Sequence, residues 1–322
     1  MSLSTIVIIF IIISILISFA IGANDETMAT IYGSRTLKMR EILILAVIFA
    51  ILGAFLLGGS VSETVGKDLL SPIISVDNPV VLTILISTAI WLIVSSIFGL
   101  PISTTHATIG SIIGVGLLLG GGGGVNWLTI LEMALWWLLS PVIGFIVTYL
   151  AYKLIHKSII NKLSGFRNYE RAERIFSYIL LIVICWTAFS RAGNDCSNAV
   201  GIVAGLELNL NFILLIAGLS FASGIVVIGR GVIKNVGTIT ELHPSTAFAS
   251  EIPTAIILFF GTLLGIPLSG SHMLVASLVG LSKARRAPMS KGLWKIVLVW
   301  LLTFPVAAIL SVILYFPIDF YI

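Results

Sequence analysis

The chain has 322 residues, of which 58% are hydrophobic and 10% charged, with mean hydropathy +1.15. That balance excludes a soluble domain of this size, and a formal charge of +4 spread over so apolar a chain gives no reason to expect nucleic acid as a partner. Many apolar runs approach the ~20 residues that span a bilayer, and the alternating ~10-residue pattern of a membrane barrel is absent. The expectation is an all-α polytopic membrane protein.

In chain order, residues 1–21 read as a retained span. They lack a basic leader and a small-residue cleavage site, and they run straight into Gly22-Ala23-Asn24-Asp25-Glu26. A basic loop with Arg35, Lys38 and Arg40 leads to a second span at 42–58. Residues 80–119 then form two apolar runs broken by Gly99-Leu100-Pro101-Ile102-Ser103-Thr104-Thr105-His106. Proline removes an N–H and disfavours helix before it, while Ser and Thr favour a new helix start, so this stretch reads as a broken hairpin. Five glycines, 120–124, lack the Lys-Ser/Thr of a phosphate-cradling loop and read as a flexible connector. A span at 128–152 with Pro141 inside it closes the first half.

The polar stretch 153–174, with six Lys and Arg, reads as a cytoplasmic connecting loop. A span at 175–191 ends in Gly193-Asn194-Asp195, and another covers 212–228. A second broken hairpin, 246–282, turns at Gly265-Ile266-Pro267-Leu268-Ser269-Gly270-Ser271-His272. The last span is 293–316, with Pro305 inside it. Cys185 and Cys196 are unclustered, so neither a disulfide nor a metal site is expected.

The two halves match. Asn24-Asp25 corresponds to Asn194-Asp195, Pro101 to Pro267 and Pro141 to Pro305, which marks an internal repeat. If each hairpin re-enters, each half crosses three times and the second half is inverted. With the N-terminus outside, every Lys and Arg except Lys67 and Arg191 falls in the inside loops 33–41, 152–174, 229–245 and 283–295. The expected architecture is therefore two inverted-topology repeats, each with three spans and a re-entrant broken helical hairpin. The first covers 1–152, the connecting loop 153–174 and the second repeat 175–322.

Charged groups within apolar spans are functional candidates by default. Asp25, Glu26, Asp195, Glu251 and Arg191 meet that description. Asp25 and Asp195, with the amide oxygens of Asn24 and Asn194, suit Na⁺ or H⁺, although Asn and Asp also cap helices. Glu251 has no counterpart in the first half and reads as a cation ligand or proton acceptor. Ser103, Thr104, Thr105, Ser269, Gly270 and Ser271 stand at helix starts, where hydroxyls and backbone N–H groups bind an anion without a permanent cation. Capping uses the same groups. Arg191 either holds an anion or pairs with Asp195. His106 and His272 either meet the substrate or fix the turns.

Taken together, these motifs resemble the inorganic phosphate transporter family, over nearly the whole chain. The likeness is carried by Gly22-Ala23-Asn24-Asp25, Gly33-Ser34, Leu57-Gly58-Gly59-Ser60-Val61, the tip at 99–106, Gly193-Asn194-Asp195, Ala247-Phe248-Ala249-Ser250-Glu251 and the tip at 265–272. The resemblance implies a phosphate permease driven by Na⁺ or H⁺, with substrate held at the hairpin tips and the Asn-Asp ends. It implies phosphate contacts from Ser103, Thr104, Thr105, Ser269 and Ser271, and a cation–phosphate role for Asn24, Asp25, Asn194 and Asp195. The chain departs from the family pattern at Ala50, where an acid is common, at Gly270, where Thr is common, and at Arg191, where His is common.

The expected function is import of inorganic phosphate by cation symport with alternating access, and not catalysis. The alternatives are a sulfate permease of the same fold and a passive anion channel. A membrane enzyme acting on phosphorylated lipid is disfavoured because no compact triad or metal-ligand spacing accompanies the histidines. No cofactor beyond the coupling Na⁺ or H⁺ is expected. Expected partners are inorganic phosphate, that cation and the lipid bilayer, with a homodimer left open. The expected location is the cell (plasma) membrane, multi-pass, with both termini outside.

Overall fold

A computed structural model describes residues 3–98, 102–204, 209–289 and 293–322. Gly99, Leu100 and Pro101 of the first expected tip, and Lys291 of the last basic loop, lie outside the described residues. The described chain is helical. Its β pairing is confined to an isolated bridge between Leu70 and Val125.

Helix α1 (Leu3–Ala23) stops at the Asn-Asp motif, and the short α2 (Ala29–Gly33) follows. Helix α3 (Met39–Lys67) starts where the Lys38 N–H donates to Glu41 Oε2 at 2.7 Å. The first hairpin is α4 (Asn78–Ile97) and α5 (Thr104–Gly120). Asp77 caps α4 by accepting from the Val80 N–H at 3.1 Å. Helix α6 (Trp127–Ser158) runs through Pro141, and α7 (Phe166–Ala204) opens the second half. Helix α8 (Leu210–Gly224) passes through a π-helical turn, Ile225–Gly229, into α9 (Arg230–Gly237). The second hairpin is α10 (Pro244–Leu263) and α11 (Gly270–Arg285), and α12 (Leu293–Tyr321) ends the fold.

The packing of the two halves, between them and within each, is reciprocal. Helix α3 lies on α7 as α8 lies on α1, α6 lies on α11 as α12 lies on α5, and α7 lies on α10 as α1 lies on α4. Two repeats packed about a pseudo-twofold axis produce such a pattern. The α1–α8 contact leaves no room for side chains. A Cβ on Gly22 would sit 1.9 Å from the Phe221 carbonyl oxygen, and one on Gly224 would sit 2.0 Å from that of Phe19. Small residues that let backbones approach are how helices associate without a hydrophobic force between them. The outer faces are apolar, with Leu128, Ile182 and Leu301 exposed, whereas the buried interior holds Asn24, Asp25, Glu26, Arg191, Asn194, Asp195 and Glu251. Eight helices among the described residues are long and apolar enough to cross a membrane, so the protein is multi-pass.

Three sequence expectations change. Asn194-Asp195 does not end a span, because α7 continues through it to Ala204. The stretch 153–174 is mostly helix, with α6 reaching Ser158 and α7 starting at Phe166. Its Lys, Arg and Glu are good helix formers, so the polarity of the stretch did not mark the helix end. The glycine run is a packed turn. The Gly124 carbonyl accepts from the Ser71 N–H at 3.1 Å, and a Cβ on Gly124 would meet the Gly116 carbonyl oxygen at 2.0 Å. Cys185 and Cys196 are free thiols.

Candidate functional site

Each hairpin tip hangs on the asparagine of its own half. The Ile102 N–H donates to Asn24 Oδ1 at 2.8 Å, and the Leu268 N–H donates to Asn194 Oδ1 at 3.0 Å. The amide NH₂ groups also match. That of Asn24 donates to Ser96 Oγ at 3.4 Å on the last turn of α4, and that of Asn194 to Thr262 Oγ1 at 3.1 Å on the last turn of α10. Asn194 additionally donates to the Ile266 carbonyl at 3.0 Å. One side chain performs the same task from a helix end in the first half and from mid-helix in the second. Helix α10 closes through Gly265 at φ 72°, with the Ile266 N–H bonded back to the Gly261 carbonyl.

The new helices then begin. Ser103 Oγ accepts from the His106 N–H at 3.2 Å, and Ser269 Oγ accepts from the His272 N–H at 3.4 Å. Each capping hydroxyl keeps its own hydrogen to donate. The two tips also hold each other. Thr105 Oγ1 donates to the Leu268 carbonyl at 2.9 Å, and Ser271 Oγ donates to the Ile102 carbonyl at 3.1 Å. The positive ends of α5 and α11 therefore meet at one buried place, which is where hairpins entering from opposite faces of a membrane end. Asn198, unremarked in the sequence, donates to Thr105 Oγ1 at 3.3 Å.

Arg191 lies beside that junction, 3% exposed. Its Nη1 is 2.7 Å from Glu26 Oε1, and its Nε is 3.3 Å from Asp25 Oδ1 and 3.0 Å from Asp195 Oδ2. Its Nη2 donates to Ser271 Oγ at 3.0 Å. Asp195 Oδ1 accepts from Thr104 Oγ1 at 3.2 Å, and Asp25 Oδ1 accepts from Thr27 Oγ1 at 2.6 Å. Of the two readings of Arg191, the pairing with Asp195 is present, and the same guanidinium also bonds Ser271 at the start of α11. Glu26 belongs to this cluster, and only its charge in an apolar setting signalled it beforehand.

Glu251 stands apart from the cluster. Thr30 Oγ1 donates to its Oε1 at 2.7 Å and Thr187 Oγ1 to its Oε2 at 3.4 Å. Thr187 is one turn before Arg191 on α7, so Glu251 sits along the same helix face. Ala50 is part of the apolar core. The rings of His106 and His272 lie 4.7 Å apart, flanked by Trp137 at 4.4 Å and Trp300 at 4.2 Å respectively. Trp137 also donates to the Pro267 carbonyl at 3.0 Å. The histidines thus form an aromatic layer between the tips. A cavity of about 960 Å³ lined by Arg35, Lys38, Glu41 and His243 opens at the far end of α2, whose Gly33 lines it while Thr30 holds Glu251.

A buried junction of two broken hairpins, one from each repeat, with helix starts and carboxylates converging on it, defines a membrane transporter of the inverted-repeat class. Residues 21–311 match the profile of the phosphate transporter family. The chain belongs to that family.

Among its relatives, a provisionally named phosphate permease of Pyrococcus furiosus is 28% identical, with 96% of this chain and 95% of the relative covered. Inorganic phosphate transporter 2-1, chloroplastic, of Arabidopsis thaliana is 27% identical over 91% of this chain and 69% of its own. A solved structure of a sodium-dependent phosphate transporter superposes with a TM-score of 0.90 at 26% identity, covering 99% of this chain and all of its own. The family and this structural neighbour are transporters and not enzymes.

Proposed function

We propose that the protein is a secondary active transporter that imports inorganic phosphate with Na⁺ by alternating access. The observation that carries this reading is the meeting of the two tips. Two helix starts, their capping serines and the hydroxyls of Thr104, Thr105 and Ser271 converge beside Asp25, Glu26 and Asp195. Donors at the helix starts suit a tetrahedral oxyanion, and the carboxylates suit a hard cation. An oxyanion beside carboxylates is repelled unless a cation is present, so the two bind well only together, and that difference in affinity is the coupling. The likeness to a sodium-dependent phosphate transporter supports Na⁺ over H⁺ and phosphate over sulfate.

In this reading Asp25, Asp195 and Glu251 serve the cation, while Ser103, Thr104, Ser269 and Ser271 turn to phosphate once the clasp between the tips opens. Asn24 and Asn194 hold the tips in place. Residues 1–152 and 175–322 are the two repeats, joined through 153–174, and a bundle drawn from the repeats rocks against the rest of the fold. Both termini are outside the plasma membrane, and the basic segments face the cytoplasm. A passive channel is disfavoured because the site is buried and the tips are bonded to each other.

Labelled phosphate uptake into proteoliposomes, with and without an inward Na⁺ gradient and with excess unlabelled sulfate, tests this. Na⁺-driven accumulation that sulfate does not suppress is expected. Uptake driven only by a pH gradient would replace Na⁺ with H⁺, and suppression by sulfate would replace the substrate.

A further inference from the structure

Arg191 and Gly270 form one feature. A Cβ at position 270 would lie 2.9 Å from Arg191 Nε, 3.0 Å from Cζ and 3.1 Å from Cδ. The equivalent place in the first tip holds Thr104, whose hydroxyl reaches Asp195. The second tip therefore lacks a side chain where the guanidinium lies.

That guanidinium is shared by carboxylates from both repeats, Asp25 and Glu26 from the first and Asp195 from the second. Glu26 is fully buried and neither of its oxygens has an aligned hydrogen bond, so Arg191, 2.7 Å away, is the charge that compensates it. Among the described residues, no three His, Cys, Asp or Glu side chains close on a common metal-ion position. The place between these carboxylates is occupied by a cation that cannot leave. A planar guanidinium with several donors serves several carboxylates at once, and it is weakly hydrated, so it tolerates burial better than an ammonium.

We propose that Arg191 is a tethered cation standing in for one coupling ion, so that this transporter moves one fewer free cation per oxyanion than the same site would with a neutral residue at 191. The statement about stoichiometry rests on the transport reading above; the statement about cation occupancy does not. A dissociable ion must enter and leave with each turnover, whereas Arg191 stays. Removing it leaves three carboxylates around an empty place, and a buried charge without a partner is costly enough to recruit a free cation.

The test uses purified full-length protein in detergent, without phosphate. Thermal unfolding is followed while Na⁺ replaces choline at constant ionic strength. For Arg191→Ala, Na⁺ is expected to raise Tm with an apparent affinity about tenfold or more tighter than for wild type, because an uncompensated buried charge is worth more than one decade in binding. Arg191→Lys is expected to follow wild type. Arg191→Gln, which keeps most of the volume, serves in place of Arg191→Ala if that variant does not fold. A neutral variant whose Na⁺ response equals that of wild type, or a lysine variant that behaves like the neutral one, overturns the proposal.

In proteoliposomes, phosphate uptake by the neutral variant should rise more steeply with Na⁺, by one further ion. A loss of phosphate affinity that raised Na⁺ does not restore would instead make Arg191 a direct grip on the anion and also overturn the proposal. If wild-type protein moves no phosphate, the transport reading fails while the Na⁺ titration still decides the occupancy of the site. Gly270→Thr alone should impair the protein, and adding Arg191→Ala should relieve it.

Discussion

Asn194→Ala probes how the second tip is held. Asn194 is fully buried and makes three bonds to its hairpin: it accepts from the Leu268 N–H and donates to Thr262 Oγ1 and the Ile266 carbonyl. Thr262 Oγ1 keeps its donation to the Leu258 carbonyl at 2.6 Å, so it loses little. The Leu268 N–H sits in a fully buried residue and would have no partner, whereas the Ile266 carbonyl is partly exposed and recovers some hydration. An orphaned buried donor costs ~1–3 kcal/mol, which with the second loss makes about 2–4 kcal/mol in all. That corresponds to a Tm lower by ~4 °C or more. Asn24→Ala should behave alike through the Ile102 N–H. Because Leu268 and Ile102 carry the bonds between the tips, the double variant should cost less than the two single costs together. Thermal unfolding of the purified protein, followed by tryptophan fluorescence, measures all three. An Asn194→Ala protein within ~0.5 kcal/mol of wild type would refute the claim that the asparagines hold the tips.

Other predictions address the packing, the caps and the topology. Gly22→Val should disrupt the α1–α8 contact, because even a Cβ there would meet the Phe221 carbonyl oxygen at 1.9 Å, and the folded yield in a fluorescence size-exclusion assay should fall sharply. Ser103→Ala removes the α5 cap, worth ~1 kcal/mol, and a hydroxyl donor, so Tm should fall slightly and phosphate affinity more clearly; unchanged affinity would move the anion elsewhere. Asp25→Asn should abolish coupled uptake with folding retained, and normal uptake would remove it from the coupling site. A tag at residue 165, in the short turn between α6 and α7, should be labelled only from the cytoplasm. Labelling from outside would reverse the orientation.

The repeat, the two broken hairpins and the charged residues were legible because each leaves a local mark: a proline before serines, an Asn-Asp pair, a carboxylate in an apolar run. What was not legible depends on partners far apart in the chain. Nothing near Asn194 says that its amide will accept from Leu268, and its mid-helix setting hid behind the same two letters that end α1. The Arg191–Asp195 pair was one of two readings open from the sequence, but the reach to Glu26 and Ser271 was not legible there. Gly270 looked like a lost hydroxyl in the sequence. In the structure it is the space into which the Arg191 side chain fits. The polar stretch 153–174 was read as loop from its charge, yet Lys, Arg and Glu are good helix formers, and helix covers most of it.

The most direct measurement of the account is equilibrium binding of labelled phosphate to the purified protein, with Na⁺ present or replaced by choline, with unlabelled sulfate as competitor, for wild type and Thr104→Val. The account predicts one phosphate bound per chain, strengthened by Na⁺, not displaced by sulfate and weakened in the variant. Phosphate bound equally well without Na⁺, or equally well by the variant, would contradict a coupled site at the meeting of the hairpin tips.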